Sequence, residues 1–178
     1  MNTDVQKDFD WQVKYLQPIK NIVGPMLLDP APIEQDMRQA TDLMVLMARD
    51  LRIGCRIRRA GYADKYPWDF TLRSRRDSGA ETELSKIVNG WGDWLFYGHA
   101  EHDEVPSLAR WFVIDLHAWR AHMIRDGFRN PAERLVRFKT MPNGDGTYFT
   151  AFDVRSFPPV PPICRKVSHD IPAMQKAA

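Results

Sequence analysis

The sequence predicts an α/β (α+β) protein with a central mixed sheet of about five to six strands flanked by helices. Two alternating segments and one aromatic run carry that expectation. From Leu51 to Arg58, Leu51, Ile53, Cys55 and Ile57 fall on one strand face and Arg52, Gly54, Arg56 and Arg58 on the other. From Trp68 to Arg75, Trp68, Phe70 and Leu72 face one way and Asp69, Thr71, Arg73 and Arg75 the other. The run from Asp93 to Gly98 is aromatic on both faces, as a central strand is.

The other elements follow in order. Val5, Phe9, Val13, Leu16 and Ile19 make a helical stripe that Pro18 interrupts, and Gly24-Pro25 ends it. Asp29-Pro30 reads as the start of a second helix running to about Gln39. Asp42 opens a short apolar run through Met47, read as a strand, and residues 48–50 would connect it as a hairpin to the next. Residues 61–67 read as a loop. Ala80 to Val88 reads as a helix closed by Asn89-Gly90. Leu108 to Leu116 is a strand running into a helix over 116–126, with Asp115 as its N-cap. Residues 131–139 read as a short basic helix, and Thr147 to Val154 as a last strand. A proline-rich tail follows from about 157. The length of 178 residues suits one domain.

Charge is distributed in blocks. Residues 49–76 hold nine Lys or Arg against three Asp or Glu, a net of +6, whereas residues 77–126 hold four against nine, a net of −5. A local positive field of this size suits phosphate backbones or acidic protein surfaces. It equally suits a solvated strand face balanced by its acidic neighbour. Tyr62, Tyr66 and Trp68 lie between Arg59 and Arg73, a mixture that fits nucleic acid as well as a core. The two cysteines, Cys55 and Cys164, have no metal-ligand spacing, so a reducing, cytoplasmic setting is the simplest expectation. No apolar stretch of about 18 residues occurs, so no membrane helix is expected. P-loop, dinucleotide-binding, nucleophile-elbow and zincin signatures are absent from the sequence.

The order helix, helix, strands, helix, strand resembles the restriction-endonuclease-like, or PD-(D/E)xK, superfamily. The resemblance implies acids that hold Mg²⁺ at a scissile phosphate and a lysine that orients the attacking water. It places Asp42 as the first acid and Glu34 or Asp36 as the helix acid, giving Asp42 and Glu34 as metal ligands. The second acid and the lysine would fall at Gly54 and Arg56, so half of the signature is missing. Arginine is permanently charged and does not shuttle protons, and glycine has no ligand atom in its side chain. A second grouping is Glu83 and Lys86, three apart on a helix, with Asp69 and Asp93 on flanking strands. These fit either a displaced catalytic site or, for Glu83 and Lys86, a surface ion pair. His99 and His102, beside Glu101, Asp103 and Glu104, fit a metal loop or a solvated hairpin.

The stretch from Phe70 through His99 is also similar to uncharacterised proteins encoded by bacteriophages and prophages. The leading expectation is therefore a phage-type, nuclease-like protein in the host cytoplasm. It would bind nucleic acid through Arg52, Arg56, Arg58, Arg59, Arg73 and Arg75, with catalysis, if retained, at Asp42, Glu83 and Lys86. The alternative is a phage-encoded interaction protein that inhibits a host or defence complex by docking on it.

Overall fold

Residues 10–13 are helical, and proline sets where the helix after them begins. Pro18 has no N–H to donate, so it is tolerated only where that N–H would be unpaired anyway. The helix α1, Leu16–Val23, starts two residues before it, after a turn at residues 14–15. Tyr15, Ile19 and Val23 are buried, at 0, 4 and 4% exposure, whereas Val13 and Leu16 of the expected stripe are exposed, so only Ile19 of its described members faces inward. The computed structural model describes residues 7, 10–30, 43–45, 51–129 and 133–169. The chain divides into two units, Met1–Leu51 and Arg52–Ala178.

In the first unit α1 passes into a 3₁₀ turn, Gly24–Leu27. Two short strands follow, β1 Leu28–Pro30 and β2 Leu43–Val45, paired antiparallel with Asp29 opposite Met44. The described part of the apolar run, Leu43–Val45, is strand, as expected. Asp29-Pro30 is strand rather than helix start, because proline is tolerated at the edge of a two-stranded ribbon as well as in a first helical turn.

The second unit is α+β, with two sheets where one was expected. β3 Ile53–Arg58, β5 Trp94–Ala100, β6 Leu108–Asp115 and β9 Cys164–Val167 form a four-stranded sheet in the order β3-β5-β6-β9. β4 Asp69–Arg76, β7 Phe138–Pro142 and β8 Thr147–Asp153 form a three-stranded sheet in the order β4-β8-β7. The connection expected for a hairpin, residues 48–50, lies outside the described residues; β3 runs parallel to β5, Arg56 opposite Tyr97. All of β5 is buried, which fits its aromatic character and its place between β3 and β6. Gly98 on β5 sits close under its neighbours: a Cβ there would meet Ile57 Cδ1 at 2.8 Å, and the Leu108 and Phe96 side chains at 3.1 and 3.2 Å, so they would have to shift.

Helices fill in around the sheets. α2, Tyr62–Lys65, lies in what reads as a loop in the sequence. α3, Glu83–Val88, begins at Thr82, whose hydroxyl and the Ser85 side chain cap each other's backbone N–H groups. α4, Leu116–Gly127, begins at Asp115, whose carboxylate accepts from the N–H groups of His117 and Ala118 at 3.0 Å each, as predicted. The core joins both sheets to α4. Phe70, Leu72 and Phe152 meet Leu95, Tyr97, Phe112 and Ile114, and Trp119 meets Phe152 edge-on at 5.4 Å.

Two sequence expectations fail near the C-terminal end. No basic helix forms over residues 133–139, and residues 138–142 are strand β7. The proline tail folds back instead of running free: Ile163 is 1% exposed and β9 pairs with β6. Before β7, Asp126 at 2% exposure accepts the N–H groups of Leu135 and Val136 at 2.9 and 3.1 Å. Burial raises its proton affinity, but those bonds outweigh it and hold the carboxyl below the usual range. Asp126→Asn turns an amide N–H toward one of two N–H donors, so urea denaturation should show a loss of about 1–3 kcal/mol.

Candidate functional site

Strand register shows which way the predicted cations face. Arg56 lies opposite Tyr97, and Arg58 opposite His99, which in turn lies opposite Arg110 on β6. Directly paired residues share a face, so Arg56 and Arg58 stand on the face that carries buried Tyr97 and Phe112. The alternation is as predicted, but the arginine face is turned toward the core at the edge of the sheet. Arg56 is bound there by the Glu83 carboxylate, which also accepts the Arg73 N–H at 3.2 Å. Arg52 precedes β3 and binds Asp93. Arg58 stacks over the Tyr62 ring, 4.4 Å from its centroid.

Arg58 opens onto a pocket of about 340 Å³. One wall belongs to the four-stranded sheet: Arg58, Tyr97 and His99. The opposite wall belongs to the three-stranded sheet. Cross-strand pairs there place Thr71 with Ala151 and Lys139, and Arg73 with Phe149 and Met141, all on one face. Of these Thr71, Met141, Phe149 and Ala151 line the pocket, together with Asp69. Phe70, Leu72 and Phe152 occupy the other face of that sheet, in the core. Tyr62, Lys65 and Tyr66 of the α2 segment complete the rim.

Polarity changes with depth. The rim is exposed and cationic, with Lys65 beside Tyr62 and Tyr66, which are 38 and 50% exposed. The floor is more buried, formed by Tyr97, His99 and Thr71 beside the part-buried Asp69 carboxylate. Tyr97 is 1% exposed, and its hydroxyl shares a 3.0 Å hydrogen bond with Thr71 Oγ1. His99 is 1% exposed, and its Nδ1 has no hydrogen-bond partner among the described residues. Burial, then the charges of Arg58 and Arg110, push its pKa down to about 4, so the imidazole is neutral at pH 7. Burial, then the neighbouring Asp153 carboxylate, raise the Asp69 pKa against the pull of Arg155.

The predicted residues do not assemble as one cluster. Asp42, Glu34 and Asp36 lie outside the described residues. Glu83 binds Arg56, Asp93 binds Arg52 and His117, and Asp69 lines the pocket, so the three acids have separate partners. Lys86 is exposed on α3. Among the described residues no three His, Cys, Asp or Glu side chains group as a metal site. His99 faces the pocket while His102 is exposed in the following loop. Arg59 is exposed.

Arg73 and Arg75 do not share a face. A bulge between them pairs Arg73 with Phe149 but Arg75 with Tyr148, the adjacent residue of β8. Arg75 accordingly lies over the Tyr148 ring, 3.6 Å from the centroid, and pairs with Asp77. Sequence reasoning missed Lys65, Tyr97 and His99 as members of one site, and Lys139 as a cation on the pocket-bearing face of the smaller sheet. Lys139 is visible only if residues 138–142 are read as a strand, and the pocket itself depends on two sheets whose pairing is not local.

The fold and the pocket define the class: an α+β protein with a cation-rimmed, polar-floored cleft between two sheets. Comparison with protein-family models, with curated proteins and with solved structures found no match. Among the described residues no helix is long and apolar enough to cross a membrane.

Proposed function

We propose that the chain binds nucleic acid as a nuclease-like protein, through cations and aromatic rings gathered at the mouth of this pocket. The carrying observation is the rim, where Arg58 and Lys65 stand beside Tyr62 and Tyr66. Cations neutralise phosphates, and exposed rings stack on bases, whatever the sequence. Arg73 and Lys139 add positive charge on the pocket-bearing face of the smaller sheet. Half-exposed rings are of use to unpaired bases, so a single strand is the better ligand.

Binding does not require catalysis in this reading. Gly54 and Arg56 stand where the nuclease signature has an acid and a lysine, and Arg56 is committed to Glu83. Catalytic roles for Asp42, Glu83 and Lys86, with Asp42 and Glu34 holding Mg²⁺, and a phage origin, belong to the same proposal. Incubation with Mg²⁺ and single- or double-stranded DNA, with Asp42→Ala as control, tests the catalytic part.

Fluorescence anisotropy with a labelled single-stranded oligonucleotide, at several salt concentrations, tests binding. Affinity should fall steeply with salt and survive EDTA, because the contacts come from side-chain cations. The double variant R58A/K65A should flatten the log–log salt dependence by about 1.4, roughly 0.7 for each lost phosphate contact on a single strand. No salt-sensitive binding to any nucleic acid would sink the proposal.

A further inference from the structure

We infer that the pocket holds one unpaired nucleotide of the bound strand, its phosphate at Arg58 and Lys65 and its base over Asp69, Thr71 and His99. This rests on the nucleic-acid reading above and names what that site recognises.

Three features select this occupant. The first is size: about 340 Å³ lies in the range that ordinarily holds a small planar ligand. The second is the gradient of polarity. Positive charge sits at the open end, and the closed end carries the uncharged Tyr97, Thr71 and His99 side chains beside the Asp69 carboxylate. A free phosphate would use only the rim, and an apolar ligand would leave the floor unpaired. A nucleotide is anionic at one end and a planar donor–acceptor array at the other.

The third is the floor's hydrogen-bonding capacity. Thr71 and Asp69 line the cavity with the His99 ring, and exposed Asn143 lies at its mouth. His99 Nδ1 is buried without a partner among the described residues, a state that costs free energy unless something meets the ring. Held neutral, the His99 ring carries one N–H donor and one acceptor nitrogen, the kinds of group a base edge pairs with. A base within a duplex cannot enter such a cavity, so the occupant is unpaired or extruded. Tyr66, half exposed at the rim, is placed to stack on it or its neighbour.

Isothermal titration of the full chain with the four nucleoside 5′-monophosphates tests this, with ribose 5-phosphate and inorganic phosphate as controls. At least one monophosphate should bind about tenfold or more tightly than ribose 5-phosphate, the difference expected of buried polar groups that a base pairs and a bare sugar leaves unmatched. The same nucleotide should displace a labelled oligonucleotide. Tyr66→Ala should weaken it roughly 5- to 150-fold, the range for one base–ring stack. Asp69→Asn should weaken it by about tenfold while leaving the salt slope of oligonucleotide binding unchanged. Asp69 and Tyr66 are both partly exposed, so these variants fold more safely than His99→Phe, and thermal melting checks each.

If ribose 5-phosphate or inorganic phosphate binds as well as every nucleotide, the base seat is overturned while oligonucleotide binding still stands. If nucleotides bind but no oligonucleotide does, the strand reading falls, and with it the claim that the occupant belongs to a strand.

Discussion

Asp93→Ala should lower the stability of the second unit by about 3 kcal/mol, measured by urea denaturation at pH 7. Asp93 is 5% exposed and precedes the central strand β5. Its Oδ2 accepts the Arg52 backbone N–H at 2.9 Å and Arg52 Nε at 3.2 Å. Its Oδ1 meets His117 Nε2 at 2.8 Å. Arg120 has no acceptor, so His117 Nδ1 must accept from it, at 3.1 Å, and Nε2–H is left to donate to Asp93. Truncation therefore orphans a backbone N–H and two side-chain donors. The loss stays at the lower end for a buried ion pair because Arg52 and His117 are half exposed and can rehydrate. The Arg52 N–H foremost, then the His117 bond, hold the Asp93 carboxyl well below the usual carboxylate range. A depressed folded pKa stabilises fully above the unfolded value of about 4 and progressively less as pH falls below it. The wild-type acid transition should thus be steeper than that of Asp93→Ala. Equal acid sensitivity in the two proteins would refute this role.

Local patterns in the sequence were legible where a local cause set them. Asp115 is an N-cap because its carboxylate reaches the next two N–H groups, whatever the rest of the chain does. The alternations of β3 and β4 were legible for the same reason. Their destinations were not. Alternation separates two faces but does not say which turns inward. At β3 the arginine face turns toward buried Tyr97 because Glu83, twenty-seven residues away, meets Arg56 there. Pairing between β3 and β5 spans a connection that includes all of β4, and no hairpin signal announces it. The bulge that separates Arg73 from Arg75 has no residue signature, since neither neighbour is glycine. Of the candidate site, Arg58, Tyr62, Tyr66 and Asp69 could be singled out from sequence, but not as members of one pocket.

Phe70→Ala should cost about 3–5 kcal/mol, and it should also weaken nucleic-acid binding although Phe70 does not line the pocket. Phe70 is fully buried and stacks on Phe152 at 5.1 Å, with Tyr97 and Phe157 edge-on at 6.1 and 5.9 Å. Its neighbour Thr71, pointing to the other face of β4, bonds the Tyr97 hydroxyl. Tyr97 is thus gripped by both faces of one strand: its ring by the core and its hydroxyl at the pocket floor. A cavity in place of the Phe70 ring frees the Tyr97 ring, and the pocket wall moves with it. Thr71→Val removes only the hydroxyl contact and should cost about 1 kcal/mol. The two variants separate packing from hydrogen bonding, with urea denaturation and oligonucleotide anisotropy read on each. If Phe70→Ala binds like wild type at a temperature where it is fully folded, the core does not set the pocket's shape. Weakened binding under those conditions would mean that the recognition surface is held from behind, by the packing that joins the two sheets.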